Sequence, residues 1–245
     1  MFLKKVFSIA ALSAVISLAY ARSAQAISFR MTTGVASISG ETDKGAYSEF
    51  TKRSDINTID FNEGTAPTTG FAKFSLSGSN IRSDKWAPSG SNAEVNKSDY
   101  LAVFQGKDVE INLEENLNYF GINWGAISVG NQFSFYKGDS LIQSFSTSDV
   151  NPVAPVKAKQ HGGQGNGYLH FYSTSSQDIF DRIVISQTAG GGFELDNLSF
   201  HTGNNGFDFD KEIESVPEPS FIFGMLAVGG MLLNQRKKQK SIELG

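Results

Sequence analysis

Three histidines, His161, His170 and His201, are the side chains able to act as general bases near neutral pH without a large shift. No nucleophile is spaced to meet them. The chain has neither a Gly-x-Ser-x-Gly elbow nor a His-Glu-x-x-His helix. With zero cysteines, thiolate nucleophiles, thiolate metal sites and disulfides are all excluded. Carboxylates are abundant, and two of them roughly 5 to 10 Å apart suffice for glycoside hydrolysis. A secreted glycan-active hydrolase or lyase therefore stays open as the alternative to a protein that is not an enzyme. The adjacent pair Glu114-Glu115 follows a strand-like run and reads as a solvated turn.

Two other groupings point to binding. Asp60 ends one strand-like run, and Glu194 and Asp196 lie on the last one. If the first and last strands are neighbours, these three carboxylates supply hard oxygen ligands for calcium, the one candidate cofactor. The competing reading makes Glu194 and Asp196 the solvent face of a strand whose Phe193 and Leu195 point inward. Sugar binding needs an exposed aromatic platform beside amide and acid hydrogen-bonding groups. Trp86 lies in the polar stretch Ser83-Asp84-Lys85-Trp86-Ala87-Pro88-Ser89-Gly90 with Asn92 close by, which suits a platform or a ring tucked under its own loop. Trp124 sits within strand alternation and reads as core. The polar loop Gln160 to Gly167 is glycine-dense enough to wrap a ligand or to serve as a connector. It lacks the Gly-Lys-Ser/Thr ending of a phosphate-binding loop.

The elements that position these residues are strands. Period-two alternation places Phe120, Ile122 and Trp124 on one face, and the pattern recurs at Phe133 and Phe135, Leu169 and Phe171, Ile179, Ile183 and Ile185, and Leu198 and Phe200. Turn-like separators lie between them, and Lys137 to Ser140 reads as a hairpin. Many short strands without a helix-period segment predict an all-β ectodomain over residues 27–201, a β-sandwich of the jelly-roll kind. Residues 27–59 are more polar and their strands less distinct. Residues 202–215 are rich in Gly, Asn and acidic groups and read as a flexible spacer.

The ends carry addresses. Lys4 and Lys5, the apolar stretch Val6 to Ala19 and the small residues Ala24 and Ala26 predict a signal peptide over residues 1–26, a helix cleaved by signal peptidase before Ile27. Phe221 to Leu233 is uncharged and is followed by Arg236, Lys237 and Lys238. As a helix that run is roughly 20 Å long, short of the roughly 30 Å hydrocarbon core but suited to a brief transmembrane segment with its basic end in the cytoplasm. Setting aside Lys4, Lys5, Arg22, Arg236, Lys237, Lys238, Lys240 and Glu243 leaves 14 basic against 24 acidic residues, a net charge of −10. So acidic a domain is repelled by phosphate backbones, which argues against nucleic-acid partners.

Val216-Pro217-Glu218-Pro219, then a short apolar helix, then Arg236-Lys237-Lys238, resembles the tripartite PEP-CTERM sorting signal over residues 216–238. The resemblance implies an exosortase as processing partner, an inner-membrane intermediate, and release to the cell surface or an exopolysaccharide matrix. Ile59 to Asn62, Asn118 to Gly125, Phe133 to Tyr136, Phe180 to Val184 and Phe193 to Asn197 resemble a group of cyanobacterial exosortase-dependent surface proteins. That group carries no assigned activity. Its shape resembles carbohydrate-binding jelly rolls, and its Phe-Glu-Leu-Asp-Asn strand their acidic last strand, which implies a polysaccharide ligand by analogy of fold.

Overall fold

The computed structural model describes residues 26–216. Ala24, the expected signal helix, Pro217, Glu218, Pro219, the expected sorting helix and Arg236, Lys237 and Lys238 lie outside the described residues. The chain runs through β1 (Ile27–Thr32), β2 (Ile56–Ile59), β3 (Ala72–Ser77), β4 (Asn80–Arg82), β5 (Tyr100–Phe104), β6 (Lys107–Ile127), β7 (Asn131–Lys137) and β8 (Ser140–Ser146). After the single turn α1 (Thr147–Val150) come β9 (Val156–Lys157), β10 (Gly165–Ser173), β11 (Phe180–Gln187), β12 (Gly192–Thr202) and α2 (Phe209–Glu214).

All twelve strands belong to one antiparallel hydrogen-bonded sheet. Strand β6, 21 residues long, is its spine. Its first half pairs with β3 and β11, as in Ile111 opposite Phe74 and Ile183. Its second half pairs with β10 and β12, placing Phe120 opposite Phe171 and Phe200. Between the halves the register against β11 slips, and there the exposed Glu114 and Glu115 lie within the strand rather than in a turn. The sheet thereby folds over itself. Phe133 of β7 lies 4.9 Å from Phe171, 5.1 Å from Phe193 and 5.3 Å from Trp124, ring centre to ring centre.

The predicted inward residues meet, except Ile179, which is buried just before β11 while Phe180 takes the place in the core cluster. Phe120, Ile122, Trp124, Phe133, Phe135, Leu169, Phe171, Ile183, Ile185, Leu198 and Phe200 fall in a single buried cluster. The predicted hairpin joins β7 to β8, with Lys137 opposite Ser140. On β12 the inward pairs Phe193/Leu195 and Leu198/Phe200 are separated by an odd step, which a strand of period two can accommodate only with an extra residue. That residue is Asn197, at φ +48°, where the register against β6 shifts.

The outer face of β6, β10 and β12 is covered as well. Residues 33–55 and 83–99 lie across it, tied by Asn197 Nδ2 donating to the carbonyls of Lys44 (2.7 Å) and Ala46 (3.0 Å) and by Asn123 Nδ2 donating to that of Ser89 (3.1 Å). Gly45, at φ +76°, passes so close that a Cβ there would lie within 3.0 Å of the side-chain nitrogens of Asn96, Asn123 and Asn197. Within the polar stretch 27–59, the ends are strands β1 and β2 of the sheet and residues 33–55 are a lid over one of its faces.

Residues 202–215 are not a free spacer. Phe207 and Phe209 are buried against Phe50 and Tyr119, and α2 begins on Asp208, whose side chain accepts from the Lys211 N–H. Arg30 pairs with Asp210, and Arg53 with Glu212. Two phenylalanines two positions from one another are enough apolar surface to dock a short acidic segment.

Candidate functional site

The three histidines are structural ties. His170 is fully buried, with its Nδ1 2.8 Å from the Tyr119 hydroxyl and its Nε2 3.1 Å from Thr32 Oγ1 and Glu49 Oε2. His201 links Asn118 at 2.6 Å to Asp55 at 3.2 Å. His161 is buried beneath Trp86, their ring centres 5.7 Å apart and their planes 13° from parallel.

The three carboxylates considered as calcium ligands do not share a centre. Strands β2 and β12 are neighbours, with Ile59 opposite Leu198. Asp60 is nevertheless exposed and accepts from the Asn62 N–H. Asp196 is fully buried: Oδ1 accepts from the Asn197 N–H at 2.8 Å, and Oδ2 from Asn96 Nδ2 and Ser98 Oγ, both at 3.0 Å. Burial pushes its carboxyl up to about 7, against the pull of those donors. Among the described residues no three His, Asp or Glu side chains lie close enough to hold a metal ion. Neither are Glu194 and Asp196 a solvent face. Both point outward from the strand, but Asp196 is covered by the 83–99 loop through Asn96 and Ser98, and Glu194 is 7% exposed.

Where that cover stops, a cleft of about 460 Å³ opens, lined by Arg82, Trp86, Tyr100, Ala102, Phe104, Ala126, Ser128, Gln164, Gly191, Gly192 and Glu194. Strands β4, β5, β6 and β12 supply its floor, and the two loops singled out from sequence, 83–90 and 160–167, supply its rim. Trp86 is 37% exposed at the edge. A single side chain holds its loop: Asp84 Oδ1 accepts from the Trp86 N–H (2.9 Å) and the Tyr100 hydroxyl (2.8 Å), while Oδ2 accepts from Arg82 Nε (2.9 Å) and Nη2 (2.6 Å). Burial alone would raise the Asp84 carboxyl, but these donors together hold it below the usual carboxylate range. Asn166, fully buried, joins the two rim loops to β6: its Oδ1 accepts from the N–H groups of Ser89 and Ala126 and lies 2.9 Å from His161 Nδ1.

Glu194 lies at the bottom of the cleft. Burial pushes its carboxyl up to about 8, the Asp84 charge adds to the rise, and its own backbone N–H and Arg82 oppose it. A lowered carboxyl, Asp84, thus stands behind Arg82 and Tyr100 of the lining, and a raised one, Glu194, belongs to the lining itself. The arrangement offers a flat indole face, an acid, an exposed amide in Gln164 and a hydroxyl in Ser128, the group types that bind a pyranose ring.

Asn92 does not join Trp86. Its N–H and side-chain amide are both turned onto the Glu94 carboxylate at 2.7 and 3.1 Å, a local turn that keeps it off the cleft lining. Trp124 is core, as expected. Sequence reasoning did not find Arg82, Ser128 or Glu194 as cleft residues. Nothing local distinguishes them, since they come together only by strand pairing.

No protein-family model matches the sequence, and no curated protein matches it. Among solved structures, the chain is similar to CBM86, a low-affinity xylan-binding module from Roseburia intestinalis, at 11% identity and a TM-score of 0.27, covering 55% of this chain and 97% of that one.

Proposed function

We propose that this is an exported, non-enzymatic surface or matrix protein whose jelly-roll-like β-sandwich binds polysaccharide in the Trp86 cleft. Signal peptidase and an exosortase are its processing partners on this reading, acting before Ile27 and at Val216 to Pro219. The observation that carries the binding function is Trp86. A large apolar ring held half-exposed at a cleft edge, with its other side seated on His161, is stacking surface built for a ligand rather than for the core. Polar groups deeper in the cleft supply hydrogen bonds to hydroxyls.

The carboxylate-pair chemistry of a glycan hydrolase has one supporting observation, the opposed shifts of Asp84 and Glu194. Against it, both Asp84 oxygens are already committed to Arg82, Tyr100 and the Trp86 N–H, leaving no lone pair aimed at a water or an anomeric carbon. The test is a binding titration of the purified protein against a panel of soluble polysaccharides, with reducing ends assayed in parallel. The binding reading expects saturable retention that Trp86→Ala weakens by about 2 kcal/mol, roughly 30-fold, with no reducing ends released. Release of reducing ends, lost in Glu194→Gln, would transfer the site to the hydrolase reading.

A further inference from the structure

Glu194 is 7% exposed, and its Oε2 is buried without a hydrogen-bond partner. Its position explains why. It points outward from β12 between Ala102 of β5 and Gly125 of β6, its opposite numbers in the two ladders, and neither offers a side-chain donor or acceptor. Gly192, two residues earlier on the same face, has no side chain, and a Cβ there would collide with the Glu194 carboxyl. Ala126 completes a small, apolar surround. A carboxyl carried into such a place and left unpaired is costly, so its partner is expected to arrive from the open side of the cleft.

We propose that Glu194 is the ligand-anchoring group of the cleft, binding uncharged glycans as a neutral acid that donates its O–H to a sugar hydroxyl or ether oxygen. This rests on the polysaccharide reading of the Trp86 cleft and names its ligand class. An acidic sugar brought to the same floor would feel the Asp84 charge that already raises Glu194, and the nearby cation, Arg82, is engaged by Asp84.

The groups facing Glu194 leave its titration distinct. From the β4 end come Arg82 and, by its charge, Asp84, from β5 Tyr100, from β6 Ala126 with Ser128 just after it, and from the 160–167 loop Gln164, with His161 behind Trp86 and Lys85 over that ring. Burial lowers His161 and raises Tyr100, and Asp84 is held ionised, so between about pH 7 and pH 9 the floor changes charge through Glu194.

The experiment compares wild type, Glu194→Gln, Glu194→Ala and Trp86→Ala at pH 6.0 and pH 9.0. Probes are hydroxyethylcellulose, a soluble mixed-linkage β-glucan and galactomannan as neutral glycans, with alginate and polygalacturonate as acidic ones. Wild type should bind a neutral glycan about tenfold more tightly at pH 6.0 than at pH 9.0, the worth of one well-placed hydrogen bond. Glu194→Gln, whose amide still donates, should bind equally at both pH values, and Glu194→Ala weakly at both. Wild type needs no substitution to show the pH effect, so a poorly folded variant does not shelter the proposal. Tighter binding at pH 9.0, preference for the uronates, or a Glu194→Ala protein that binds like wild type while Trp86→Ala does not, would each overturn it. Absence of binding to every glycan at both pH values, or full binding by Trp86→Ala, would instead remove the reading on which it rests.

Discussion

Trp86 lies flat on His161, and both ring nitrogens of that histidine face oxygen atoms: Nδ1 is 2.9 Å from Asn166 Oδ1 and Nε2 is 3.2 Å from the Lys85 carbonyl. The histidine is therefore a shelf that fixes the indole from below and ties both rim loops together. His161→Ala should leave the β-core intact and weaken glycan binding several-fold, about 1 kcal/mol, by freeing Trp86 to rotate. Titration calorimetry beside near-ultraviolet circular dichroism checks this, and unchanged affinity would show that the shelf is dispensable.

Glu194 and Asp196 set the pH dependence of stability. Both carboxyls are raised in the folded chain, to about 8 and about 7, from ordinary values near 4. Between those limits the folded state binds more protons than the unfolded one, so stability falls as pH rises from about 5 to 8. Asp55, Asp84 and Glu94 are lowered and act in the opposite sense, with loss of stability only below about pH 4.5. The melting temperature should be highest near pH 5 and several degrees lower at pH 8.5. Asp196→Asn should flatten that slope, and a rise in melting temperature with pH would refute the assignment.

Asp196 already has three donors on its two oxygens. Adding millimolar calcium, or removing it with a chelator, should leave the melting temperature within about 1 °C. A shift of several degrees would correspond to ligand linkage of a kilocalorie or more and would assign a cation to this carboxylate.

Gly45→Ala should destabilise the protein by about 2 kcal/mol, since φ is positive and the new methyl would meet the amide nitrogens of Asn96, Asn123 and Asn197. Urea unfolding measures it. Because the lid folds over the outer face alone, the loss should be accompanied by faster hydrogen exchange at the backbone amides of Tyr47 and Lys97 before that of β6.

Phe209→Ala should cost roughly 2 to 3 kcal/mol and open residues 202–215 to proteolysis. A protease-resistant variant would mean that the ion pairs Arg30–Asp210 and Arg53–Glu212 hold α2 by themselves.

The inner face of the sheet was legible because burial there writes itself as alternation: Phe120, Ile122 and Trp124 announce their side of β6 without help from any other strand. The bulge at Asn197 was not read from the sequence, although the odd step from Leu195 to Leu198 carries it. Nor was the lid. Residues 33–55 carry no period, because they lie on the sheet through asparagine amides and carbonyls rather than through an apolar stripe. The 83–99 loop is why Asp196, polar by type, is buried. At the cleft, Trp86 showed itself as an aromatic in a polar loop, whereas Glu194 did not. What distinguishes that glutamate is the smallness of Ala102, Gly125 and Gly192 around it, a property of three strands that only pairing reveals.

The described chain enters at Ala26, against Thr174, and leaves at Val216, packed in the Phe50–Tyr119 cluster. Both points lie near Tyr119, partway along β6, while Glu194 sits opposite Gly125, six residues farther along, roughly 20 Å away. Both limits of the described residues thus lie away from the cleft along the strand direction. A tag or bead joined beyond either limit would meet the domain that far from Glu194, so the cleft can be assayed on immobilised protein.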